Sequence, residues 1–194
     1  MSNLPLQAAA FAVAAGLAYL AWSQYQQSLA PVDDGGAVDP DPYAYTPPIV
    51  TGGIGRDQDV LARTIYGEAR GLGRTEMENC AMVIMNRYRL VQQGKGYKSF
   101  GGPGVAEICQ APKQFSCWND GDPNLGVCRQ ATTADPVFRT AMDIAADALR
   151  GRLVDRTGGA DHYYATLSTL PAWARGIVSS AHDAGHSFFK LIGG

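Results

Sequence analysis

The stretch "LARTIYGEARGLG", residues 61–73, puts a carboxylate where a helical pattern calls for an apolar side chain. At helical spacing one face runs Leu61, Thr64, Ile65, Glu68 and Leu72. Four of these five suit a core, and Glu68 carries a charge. Gly71 and Gly73 predict that the helix stops there. Glu68 is then expected half-buried in the last turn, near the negative end of the helix dipole. Both influences favour a protonated carboxyl, the form a general acid needs.

Downstream, the chain reads as mainly helical. "TEMENCAMVIMNRYRL" (75–90) opens with Thr75 and Glu78 at capping-box spacing, and Cys80 to Met85 is apolar on every face. This predicts a central, surrounded helix, with Glu76 and Glu78 facing solvent at its start. "PGVAEICQ" (103–110) begins with Pro at a helix-start position. "DPVFRTAMDIAADALRG" (135–151) has Asp135 as N-cap, Pro136 in the first turn and Gly151 as terminator. Its apolar stripe is Val137, Ala141, Ile144, Ala145 and Ala148. "TGGADHYYAT" (157–166) breaks the helical pattern and predicts a small β-hairpin. The fold class is mainly α (α+β), and no internal repeat is present.

The N-terminal quarter differs. Four of the eighteen acidic residues and none of the sixteen basic ones fall in residues 1–55. "LPLQAAAFAVAAGLAYLAW" (4–22) is uncharged and long enough to cross a bilayer as a helix. Tyr19, Trp22 and Tyr25 suit the membrane interface. A cleaved signal peptide is the rival, but it lacks a basic start, and cleavage after Ala30 would leave Pro31 badly placed. Residues 31–55 are rich in Pro, Gly and Asp without an apolar period, as in a linker. The expected organisation is a transmembrane anchor (1–30), a linker (31–55) and a globular domain (56–194). With a net charge of −2, the chain lacks the basic surface of a nucleic-acid binder.

Four cysteines, Cys80, Cys109, Cys117 and Cys128, lie in the domain, and an exported domain permits two disulfides. Cys109 and Cys117 bracket a loop containing Pro112 and are the preferred pair. Cys80, among apolar residues, reads as a buried thiol. "HDAGH" spaces His182 and His186 by four, an echo of a metalloprotease helix. Asp stands where that motif has Glu, and Gly185 weakens a helix there, so no metal and no cofactor are assigned.

"IYGEARG" (65–71), "NR" (86–87), "QFSCWND" (114–120), "DRTGGADHYY" (155–164) and "GHSFF" (185–189) follow one another in this order. Together they resemble the spore-cortex-lytic type of cell-wall hydrolase, the SleB/CwlJ family, over residues 57–190. The resemblance implies a lysozyme-like helical domain with a peptidoglycan groove, and it matches Glu68 to the family's catalytic glutamate. Many relatives carry a second glutamate four residues later, where this chain has Leu72. Leu72 is read as part of an apolar wall around Glu68.

The expected substrate contacts are Gln114, Ser116, Trp118 and Asn119, which combine amide, hydroxyl and aromatic groups suited to an N-acetylated sugar. Tyr163 and Tyr164 join them, one expected toward the groove and one toward the core. Asn86, in a buried helix, suits a substrate contact or a structural hydrogen bond equally. A lytic transglycosylase, which needs one carboxylate, is the simplest fit. A hydrolytic muramidase would recruit Asp120 or Asp161 as its second acid. The rivals are a zinc amidase and a non-catalytic peptidoglycan-binding protein of a virion or envelope. The expected partners are peptidoglycan, the membrane through residues 4–22 and other envelope or virion proteins. A tethered lytic domain of this kind suits a bacterial envelope enzyme, a phage lysis protein or a phage particle that opens the wall for genome entry.

Overall fold

Helix α1 (Ile54–Ala69) runs through the middle of the fold and packs against four other helices. The computed structural model describes residues 54–192; the expected membrane span 4–22 and residues 31–53 of the expected linker lie outside the described residues. Helix α1 begins at Ile54, two residues before the expected start of the domain. Its Leu61 and Ile65 are fully buried, and Thr64 is buried with its hydroxyl donating to the Val60 carbonyl at 2.7 Å. A carbonyl one turn back satisfies that hydroxyl and allows a polar residue on the core face.

Helix α2 (Arg74–Gln92) is the surrounded helix the sequence predicts, with every residue from Asn79 to Arg87 buried. The capping box does not form. The helix starts two residues before that box requires, with Gly73 as N-cap, which puts Thr75 inside the first turn rather than before it. Glu78 instead pairs with Arg74 at 2.8 Å and Arg156 at 3.0 Å. Glu76, expected at the surface, is buried.

Three short helices follow: α3 (Tyr97–Phe100), α4 (Val105–Gln110) and α5 (Asn124–Gln130), with a 3₁₀ turn at Ser116–Trp118. Helix α6 (Pro136–Leu149) forms as read from sequence. The Asp135 carboxylate accepts the Val137 amide at 2.7 Å and the Phe138 amide at 3.4 Å. The Tyr66 hydroxyl donates to the same carboxylate at 2.6 Å, so the cap of α6 is also tied to α1. Ala141, Ile144, Ala145 and Ala148 bury their stripe against α1 and α2, and the small side chains allow close approach.

The sheet has the order β1-β3-β2, with β1 His162–Ala165, β2 Ala181–His182 and β3 His186–Phe189, all antiparallel. Residues 157–166 therefore do not form a local hairpin. The Gly158–Gly159 pair completes a turn begun by Asp155, whose carboxylate accepts the Thr157 amide at 2.8 Å. The tight hairpin is "AHDAGH" instead. There Asp183 accepts the Gly185 amide at 2.9 Å and the His186 amide at 2.7 Å, turning β2 into β3. His182 and His186 thus lie on two strands rather than along one helix face.

All four cysteines are buried free thiols. The sulfur beside Cys117 belongs to Cys128, not to the preferred partner Cys109; both sulfurs crowd the backbone of Gly67.

Asp161 fixes the segment that follows β3. Its buried carboxylate meets His162 Nδ1 at 2.7 Å and accepts the amides of Leu191 at 2.9 Å and Ile192 at 2.7 Å. Burial pushes this acid up, but the bonds from His162 and the two amides outweigh it and hold it at about 2. A carboxyl held below its unfolded value stabilises the fold above that unfolded value and loses its contribution as pH falls through the folded one. Asp161→Asn should therefore lower the urea midpoint at neutral pH. The gap from wild type should close as pH drops from about 4 toward about 2. A gap independent of pH would show that the charge is not what Asp161 contributes.

Candidate active site

Glu68 occupies the penultimate position of α1, half-buried, and donors reach both of its oxygens. Oε1 accepts the backbone amide of Cys117 at 3.2 Å and the Ser116 hydroxyl at 3.4 Å. Oε2 accepts the Tyr163 hydroxyl at 3.3 Å. The carboxylate is thus oriented by a helix end, a 3₁₀ turn and a strand that are far apart in sequence.

The 3₁₀ turn is held against α1 from two sides. Trp118 Nε1 donates to the Thr64 hydroxyl at 2.9 Å, and the Cys117 side chain packs under Gly67. A Cβ at Gly67 would lie 2.5 Å from Cys128 Sγ and 2.6 Å from Cys117 Cβ. A residue with any side chain there would push the turn away from Glu68. Arg63, one turn earlier on α1, anchors the end of α5. It donates to the carbonyls of Cys128, Arg129 and Ala131 at 2.6, 3.1 and 3.0 Å, while Asp59 balances its charge at 2.9 Å.

A cleft of about 310 Å³ opens over the carboxylate. Gln114, Ser116, Asn119, Tyr163 and Tyr164 line it with Glu68, so five of the seven expected contacts meet there. Both tyrosines border the cleft although they alternate along β1. Tyr163 packs on Phe115, Phe188 and His186, whereas Tyr164 stacks on Phe189 and meets Trp173 edge-on. Burial and the nearby Glu68 charge push the Tyr163 phenol well above its ordinary value, so it remains a proton donor toward Glu68.

Two expected contacts stand elsewhere. Trp118 turns its indole onto α1 and Thr64, so it supports the turn rather than lining the cleft. Asn86 is buried on another side of α2, where its amide donates to Asp155 at 2.9 Å and the Ala160 carbonyl at 3.0 Å. It braces the turn before β1, the structural alternative of its two readings. Leu72 does not wall the acid: it lies beyond the end of α1, is 42% exposed and packs against Gly185. The helix ends at Ala69, so the helical face that would have carried Leu72 back toward Glu68 does not continue.

Sequence reasoning missed Arg87, Lys113 and His186 in the cleft. Arg87 is buried between Phe100 and Phe115 and donates to the Asp161 carbonyl at 2.6 Å and to Gln114 Oε1 at 3.1 Å. It therefore orients Gln114. Lys113 adopts a left-handed backbone, φ 64°, held by its amide's bond to Asn119 Oδ1 at 3.2 Å. Burial lowers the His186 pKa below its ordinary value, which favours the neutral ring beside Tyr163. The "NR" and "GHSFF" motifs carried Arg87 and His186, but only the fold shows that they converge on Glu68. Among the described residues, no group of three or more His, Cys, Asp or Glu is arranged to hold a metal ion.

Two solved structures share this fold. One is the catalytic domain of the Bacillus cereus SleB protein, 23% identical, with a TM-score of 0.54 over 73% of this chain and 95% of that one. The other is the catalytic domain of the germination-specific lytic transglycosylase SleB from Bacillus anthracis, 23% identical, with a TM-score of 0.53 over 73% of this chain and 100% of that one. No curated protein matches the chain. The family described as cell wall hydrolase matches residues 73–189, starting just after Glu68. Every cleft residue other than Glu68 falls inside that matched segment, and the chain belongs to the cell wall hydrolase family, enzymes that degrade peptidoglycan.

Proposed function

We propose that the enzyme is a lytic transglycosylase that cleaves between N-acetylmuramic acid and N-acetylglucosamine and leaves 1,6-anhydromuramyl ends. The observation that carries this reading is the acid content of the cleft: among the described residues that line it, Glu68 is the one carboxylate. A hydrolytic glycosidase needs a second carboxylate roughly 5–9.5 Å from the first to activate water or form a covalent intermediate. Neither candidate serves. Asp120 is exposed and does not line the cleft, and Asp161 is buried and committed to His162 and the chain end.

In the proposed reaction Glu68 first protonates the glycosidic oxygen as the bond to the muramyl anomeric carbon breaks. The carboxylate left behind is stabilised by the Cys117 amide and the Tyr163 hydroxyl. It then takes the proton of the muramyl 6-hydroxyl, whose oxygen closes on the same anomeric carbon. No water enters, so the product is one water lighter than a hydrolysed end. Gln114 and Asn119 offer amide partners for N-acetyl arms, and Arg87 and Lys113 supply positive charge suited to the carboxylates of the lactyl group and stem peptide.

Glu68→Gln keeps the shape and removes the proton. It should reduce cleavage of purified sacculi by at least ~100-fold with an unchanged melting curve. Mass spectrometry of the wild-type digest should show anhydro ends. Mostly reducing ends would replace this reading with a muramidase, and freed peptides with an amidase. Tyr163→Phe removes one donor to Glu68 and should lower the cleavage rate about ten-fold while leaving the apolar packing of the ring in place. An unchanged rate would remove Tyr163 from the machinery.

We also propose that residues 4–22 tether the enzyme to a membrane and that residues 31–53 let the domain reach the wall. The uncharged apolar run and the Pro/Gly/Asp-rich composition support this. The full chain should partition with lipid vesicles, and a chain starting at Ile54 should stay in solution and still cleave sacculi. Equal partitioning of the two chains would refute the tether.

A further inference from the structure

Two of the four buried thiols have no part in the chemistry above, yet they meet directly beneath the catalytic carboxylate. A Cβ placed on Gly67 would lie 2.5 Å from Cys128 Sγ and 3.0 Å from Cys117 Sγ, so the two sulfurs flank one point on the α1 backbone. Cys117 sits in the 3₁₀ turn that bonds Glu68, and Cys128 sits in α5, which Arg63 pins to α1. Both are fully buried. The Cys117 thiol is pushed far above its ordinary value, first by its hydrogen bond with Cys128 and then by burial and the Glu68 charge, a sign of how closely the groups are pressed together. The other two cysteines have different neighbours: Tyr163 for Cys80, and Thr64 for Cys109.

We propose that Cys117 and Cys128 are joined by a disulfide when the domain folds in an oxidising compartment, and that this bond staples the catalytic turn to α5 under Gly67. The chemistry is thiol–disulfide exchange with a small-molecule disulfide or a dithiol oxidoreductase of the envelope. One of the two cysteines, as thiolate, attacks the oxidant's disulfide and releases a thiol. The second cysteine then attacks the mixed disulfide, forms the Cys117–Cys128 bond and releases the oxidant's other sulfur as a thiol. The two cysteines lose two protons and two electrons, and the oxidant gains them. The exchange takes place before the turn has closed over the sulfurs; the segment between them, with Asp120, Gly121 and Pro123 exposed, is the part that opens. The bond closes a short loop that contains Trp118 and Asn119, and its effect is to limit the unfolded chain and to keep the Cys117 amide against Glu68.

The pairing can be read without any activity assay. Trypsin, cutting after Lys113 and Arg129, releases peptide 114–129 with both cysteines, while Cys80 and Cys109 fall in two other peptides. The full chain should be equilibrated with oxidised glutathione, alkylated under denaturing conditions and digested without reduction. Peptide 114–129 is expected unalkylated and two hydrogens lighter, with one alkyl group on each of the other two. Two alkyl groups on 114–129, or that peptide cross-linked to another, would overturn the proposal. In a second measurement, reductant should lower the melting temperature of the oxidised wild type by at least about 5 °C. It should leave Cys128→Ser unmoved. A wild-type melting temperature indifferent to reductant would also overturn it.

Discussion

The close approach of the Ser116–Trp118 turn to the end of α1 is the constraint on which the candidate site depends. Helix α1 presents Glu68 one residue before its end, and two of the three donors for that carboxylate, the Ser116 hydroxyl and the Cys117 amide, come from a segment some fifty residues away. Those donors reach it because Gly67 leaves room for two cysteine side chains directly beneath. A methyl group at that position would collide with both, and the turn would have to retreat from a hydrogen bond that is already 3.2 Å long. The glycine before the acid is as much a part of the site as the acid.

Around that contact, polar groups buried in the interior act as clamps. Arg63 gathers three carbonyls at the end of α5, Arg87 joins the cleft to the Asp161 carbonyl, and Asp161 collects the amides of Leu191 and Ile192. Each is a charge withdrawn from water, a costly arrangement unless hydrogen bonds replace the lost solvent. Here they do, and each clamp joins segments distant in sequence. The site is positioned by these directional bonds together with apolar burial, and burial alone has no preferred direction.

A cell wall hydrolase must act on a stiff, charged polymer, and the open polar cleft suits such a substrate better than a deep apolar pocket would. Its floor is one carboxylate with donors on both oxygens, and its rim carries Lys113, Asn119 and Tyr164. Lys113 holds a left-handed backbone that Asn119 fixes, so part of the rim is locally strained and locked by the loop itself.

Periodicity and local signals in the sequence determined the helices that pack most tightly. The Asp135-Pro136 start of α6, its small-residue stripe and the all-round apolar run of α2 state their structure within a few residues, because capping and helical burial are local. The "YGEARG" stretch marked Glu68 for the same reason: a charge on an apolar helical face is visible in one dimension. Local patterns misled where the decisive partner was remote. Thr75 and Glu78 have capping-box spacing, but the helix begins before them, and Glu78 binds Arg156 from across the fold. The glycines at 158 and 159 suggested a hairpin, yet β1 pairs with a strand near the end of the chain. Leu72 left the acid's surroundings because α1 stops at Ala69, and Asn86 and Trp118 became supports rather than cleft contacts. The tertiary structure alone decided that Arg87, Lys113 and His186 join Glu68, and that Cys117 lies beside Cys128 and not Cys109. Spacing along a chain records which side of its own helix or strand a residue faces; which residues face each other depends on how those elements pack.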